Sequence, residues 1–175
     1  MDFEPSWDMV DVDWELYHPR ARELLNHPIF WTMTHDSAPH GNDTGADVLG
    51  IFQKHRESFR DVPVTDFVDE LLIAWKVKPL DWDECRSEAV EKMLALKRLQ
   101  VSICDDTILA AVFAAVKFFG RCDSDSIQTA LIAIEREKLP CVLKSRGWWD
   151  NEKRCNHLDL YEKCLGKLFD QNAVR

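Results

Sequence analysis

Residues 108–119 read ILAAVFAAVKFF, apolar on every side of a helix except for Lys117. A helix with no polar face is stable only when other elements cover it all round. The rest of the chain must therefore wrap this segment, and the fold is organised around it. Its unbroken apolar part, 108–116, is about half of the roughly 20 residues needed to span a bilayer, so it reads as a core helix and not a membrane anchor. With 175 residues, 46% of them apolar, the chain is long enough to supply the covering layer within one domain.

The flanking segments have the periodicity that such a layer needs. Pro19 opens a short helix over 19–26, which His27 and Pro28 close. Ile29, Phe30 and Trp31 form an apolar cluster. Val48, Leu49, Ile51, Phe52 and Phe59 recur at helical spacing and predict a helix over 45–59. Thr65 is placed to cap a helix reaching 77. Asp81 and Glu84 form a capping-box pattern for a helix reaching 103. Asp105, Asp106 and Thr107 are expected to interrupt that helix and recap the central one, which Gly120 ends. Ser124 or Asp125 is expected to cap a helix with Ile127, Ala130, Leu131 and Ile134 inside, and Pro140 to mark a kink or new start. Gly147, Trp148 and Trp149 read as a turn, after which Asp150 caps a last helix burying Leu158, Tyr161, Leu165 and Phe169. The expected fold is all-α: one irregular bundle of about seven helices over 18–175, with an extended arm over 1–17.

The arm holds six carboxylates and no Lys or Arg, two-thirds of the net charge of −9. It also carries Phe3, Trp7, Trp14 and Tyr17, and its alternation at 10–14 is a weak strand signal. An acidic surface repels phosphates and anionic lipid, which argues against nucleic acid or membrane as partner and favours a basic protein. The opening MDFEPSWD has no basic region ahead of an apolar one, so no secretory signal is expected. Six cysteines lie scattered without a close pair, which fits reduced thiols in a cytoplasmic protein better than disulfides or a zinc site.

The densest polar run is 35–47, HDSAPHGNDTGAD. His35, His40, Asp43 and Asp47, with Asp36 beside them, could hold a divalent metal, and so many carboxylates suit Mg²⁺, Mn²⁺ or Ca²⁺ better than Zn²⁺. A metal-dependent hydrolase or metal-binding protein is therefore an alternative reading. The same residues also make a helix start, with Asp43 or Thr44 as cap, Asp47 on the dipole, and Gly41 and Gly45 in conformations closed to other residues. No nucleophile elbow or phosphate-cradling glycine loop occurs, and no cysteine has a catalytic context. His157 reads as a surface residue.

The segment Trp31…Ala38-Pro39-His40-Gly41-Asn42-Asp43-Thr44-Gly45-Ala46-Asp47, with Leu49 and Phe52 after it, resembles small uncharacterised bacterial proteins of the YfeS type. So do Asp105-Asp106-Thr107-Ile108-Leu109-Ala110, Gly120-Arg121 and Ala130-Leu131 further on. The likeness extends over 31–150 and leaves out the acidic arm. It implies a bacterial cytosolic domain and no particular reaction. Small acidic helical proteins of this kind are often immunity proteins, which silence a toxin by covering its active site; charge and size carry that analogy. The expected function is thus non-enzymatic protein binding to a basic toxin or effector. Trp7, Asp11, Asp13, Trp14 and Glu15 of the arm, and Arg146, Trp148 and Trp149 of the turn, are the expected contact residues.

Overall fold

The computed structural model describes residues 4–148 and 151–173, and among these the fold is all-α, with no strand. The helices are α1 (Pro19–Leu24), α2 (Asp43–Phe59), α3 (Val64–Ala74), α4 (Ser87–Phe119), α5 (Ser124–Glu137), α6 (Pro140–Arg146) and α7 (Asn151–Ala173). The inner half of α4 is the axis. Residues 107–118 are buried throughout, and α1, α2, α3, α5 and α6 all pack on this helix, with α7 laid against α5. By length and composition α4 could cross a membrane, but 72% of its most apolar window is covered by the rest of the fold.

The helix ends show how far local sequence governs this fold. His18 and His27 each turn Nδ1 onto the backbone N–H two residues on, starting α1 and the 3₁₀ turn Pro28–Phe30. Asn42, not Asp43 or Thr44, caps α2, its Oδ1 accepting from Gly45 N at 2.8 Å. Asp123, not Ser124 or Asp125, caps α5, accepting from Ser126 N at 2.9 Å. Thr65 caps nothing. The first free amides of α3 donate instead across the fold, Val64 N to Asp123 and Thr65 N to Ser126 Oγ, both at 3.0 Å.

Three larger expectations fail. Asp105, Asp106 and Thr107 do not break the chain, since α4 runs unbroken past them and its one irregular residue is Lys97 (φ −148°, ψ 44°). The two carboxylates are held by arginines from other helices, and Thr107 returns its hydroxyl to the Ile103 carbonyl. The capping-box residues 81–84 start no helix, because the Trp82 and Glu84 carbonyls accept from Arg136 and α4 begins only at Ser87. The alternating arm residues form no strand either. Two 3₁₀ turns, Trp7–Met9 and Trp14–Leu16, set Val10, Val12, Trp14 and Tyr17 against the core. Of the expected stripe on α7, Leu158, Tyr161 and Leu165 are buried, while Leu168 takes the inward place and Phe169 is 36% exposed. All six cysteines are free thiols.

Candidate functional site

Two pairs of adjacent charged residues, Asp105–Asp106 on α4 and Arg136–Glu137 on α5, set the chemistry of the interior. Neighbours on a helix point in different directions, so each pair divides between two partners. Asp105 and Arg136 are fully buried, and they meet side-on with contacts of 2.7 to 3.2 Å. The spare guanidinium N–H groups of Arg136 hold the loop at Glu84 and Trp82. Burial pushes the Asp105 carboxyl up to about 6 against the pull of Arg136, which leaves it ionised at neutral pH.

Glu137 turns the other way. Both its oxygens accept from Arg154 at 2.8 Å, and Oε1 also takes the Trp148 indole N–H at 3.2 Å. Arg146 Nε stands 3.5 Å from the same oxygen, while Arg146 Nη1 donates to Asp106 at 2.9 Å. Burial alone would raise the Glu137 carboxyl, but these two guanidiniums overcome it and hold it at about 2. Arg154 stacks 4.7 Å from the Trp148 ring centre and donates to the Ser37 carbonyl at 2.6 Å. Tyr161 OH donates to that same carbonyl. The ion network thereby fastens the polar run to α5, α6 and α7.

Above this floor opens a cleft of about 1280 Å³. One wall is the α4 face carrying Arg98, Ser102 and Asp106 at intervals of four, and the opposite wall comes from the polar run with Thr34, His35 and Ser37. Trp148 and Lys153 close one side, and Pro5 and Met9 of the arm reach its edge. Glu4 ties the arm down, accepting from His157 Nε2 at 3.0 Å and lying 3.4 Å from Lys153. His157 is therefore buried under the arm and is not the surface residue its neighbours suggested. Burial lowers its pKa, against the opposing pull of Glu4.

The four residues read as metal ligands are not brought together. His35 borders the cleft, its ring 5.4 Å from that of His157, whereas Asp43 and Asp47 are exposed on α2. His40 points into the core, where Nε2–H donates to the Ala110 carbonyl and Nδ1 accepts from Lys117 Nζ, each at 3.0 Å. Burial, and then the Lys117 charge, drive its pKa well below the usual histidine range. Among the described residues no group of three or more His, Cys, Asp or Glu is arranged to hold a metal. Gly41 and Gly45 also differ from expectation. Neither has positive φ; each is a point of close backbone approach, where a Cβ would stand 1.9 Å from the His35 oxygen or 2.3 Å from that of Pro39.

The expected partner-contact residues divide into two groups. On the arm, Asp11, Asp13 and Glu15 are exposed and Trp7 is 43% exposed. Trp14 lies half-buried, its ring 4.7 Å from Trp31 and under the Arg22 guanidinium. At the cleft, Trp148 is half-buried and Arg146 is nearly buried, both spent on the ion network. Trp149 lies outside the described residues. Arg136, Glu137, Arg154 and Lys117 were not among the candidates, although the charge of Lys117 inside an apolar run was a visible signal.

This geometry can be set beside known proteins. At a distance, the chain resembles the uncharacterised protein YfeS of Escherichia coli K12. The two are 23% identical over 136 residues, which cover 77% of this chain. The match spans only 55% of the relative's length, so this chain corresponds to about half of that protein. No family model matches the chain, and no solved structure does.

Proposed function

We propose that the protein is a non-enzymatic binding module that captures a basic protein partner. In its most concrete form it is an immunity protein neutralising a toxin or effector in the bacterial cytoplasm. One observation carries this reading. Asp8, Asp11, Asp13 and Glu15 are exposed along the arm, and no ion pair engages any of them among the described residues. Unpaired like charges at this density are costly to hold together, and they are relieved when a cationic surface covers them. Trp7 and Met9, 43% and 61% exposed, interrupt the acids with apolar surface that could anchor such a partner. The accessible part of half-buried Trp148 offers a further anchor at the nearby cleft, while its indole N–H and Arg146 stay engaged in the ion network.

The arm's charge acts first on encounter rate. The experiment is a stopped-flow titration against the product of the neighbouring gene, which this reading expects to be a basic toxin or effector. The wild-type chain is expected to form a 1:1 complex that silences it. Changing Asp11→Asn, Asp13→Asn and Glu15→Gln together is expected to lower the association rate by about tenfold or more at low salt. Absence of a complex, or an association rate the triple variant leaves unchanged, would refute the proposal.

A further inference from the structure

The outer half of α4 is the chemical opposite of the arm. Leu96 and Leu99 are 82% and 75% exposed, the two most exposed large apolar side chains of the fold as described. Lys92, Lys97 and Arg98 surround them, and among the described residues none of these three cations has an ion-pair partner. The bend of α4 at Lys97 falls in the middle of this ridge, where neither Pro nor Gly accounts for it. In a chain of net charge −9, an apolar ridge with three unpaired cations is a local reversal of sign.

The ridge and the arm adjoin. Pro5 and Met9 of the arm border the same cleft as Arg98 and Leu99, and Lys92, Leu96 and Lys97 line a second groove beside Asp81. Two complementary patches side by side have a geometric consequence. A two-fold rotation lays each patch on the other's counterpart in a second copy, and both contacts form at once. We propose that this face joins two copies of the chain in a two-fold dimer, the acidic arm of each lying on the Lys92-to-Leu99 ridge of the other. Asp8 and Asp11 then meet lysines that have no ion-pair partner among the described residues, while Trp7 and Met9 cover Leu96 and Leu99. The long-range repulsion between two copies of net charge −9 is screened beyond about 8 Å at physiological salt, whereas the contact pairs act inside that distance. This dimer goes beyond the partner-binding reading and uses the same arm, so a basic partner and a second copy would compete for it; its test requires only the chain itself.

Sedimentation of the purified chain tests it at about 0.15 M salt, near the ionic strength at which that screening length holds. The weight-average mass is expected to rise from 20.4 kDa toward twice that value as concentration is raised to about 100 μM, where a micromolar interface is filled. Two charge-reversed variants sharpen the test, one with Asp8→Lys and Asp11→Lys, the other with Lys92→Glu and Lys97→Glu. All four positions are exposed, so the fold should be unaffected. Each variant alone sets like charges against one another twice, and is expected to stay at 20.4 kDa. An equimolar mixture restores opposite charges at both contacts and is expected to sediment as a dimer. A wild-type mass fixed at 20.4 kDa, variants that still dimerise alone, or a mixture that remains monomeric would each overturn the proposal.

Discussion

Lys117 lies in the most apolar stretch of the chain with its ammonium nitrogen 3.0 Å from His40 Nδ1 and 5.0 Å from the Trp31 ring centre. No carboxylate pairs with it among the described residues, and burial brings its pKa down to about 7. The unfolded chain holds that proton up to about pH 10.4. Between about pH 7 and that limit the unfolded state therefore binds more protons, and the Lys117 contribution to stability improves as pH rises. Below about 7 both states carry the charge and the penalty is constant. Lys117→Met removes the effect. Urea unfolding of both proteins at pH 6 and pH 9 is expected to show the variant gaining most over wild type at the lower pH. An equal difference at the two pH values would mean that the ammonium is not desolvated. A lysine inside an apolar helix was visible in the sequence, but its contact with His40 was not, because the two residues are 77 positions apart.

Among the elements, those fixed by local rules were legible and those fixed by distant partners were not. Residues 108–119 declared a buried helix because no polar face remained for water. Gly120 ended it as expected, with φ +64°. Asp105 and Asp106 have the residue types of a cap, and nothing nearby distinguishes capping from pairing with arginines 31 and 40 positions away. The polar run was legible as a helix start but not as a piece of interior whose Ser37 carbonyl is clamped by Arg154 and Tyr161. Its glycines follow from that tight path. Gly45→Ala would force a Cβ against the Pro39 carbonyl at 2.3 Å and is expected to cost about 2 kcal/mol or more in urea unfolding. Gly50→Ala, on the open side of the same helix, is expected to stabilise by about 0.5–1 kcal/mol. If the two substitutions behaved alike, close approach would not be what the first glycine serves.

At the scale of the molecule, cohesion is uneven along α4. The inner half is enclosed on all sides, but past the bend at Lys97 the helix leaves the main core. Val90 and Val101 on α4 and Val142 and Leu143 on α6 are buried outside that core, and α6 packs on α4. A small satellite of this kind has little apolar contact to keep it closed, so it can open without the rest of the protein unfolding. Amide hydrogen exchange is expected to divide the protein into two cooperative blocks. Amides at 88–97 and 141–146 should exchange together and early, and those at 107–118 only through global unfolding. One uniform rate along α4 would contradict this. On that expectation the longest helix among the described residues works as two mechanical parts, a fixed spindle and an outer segment free to open.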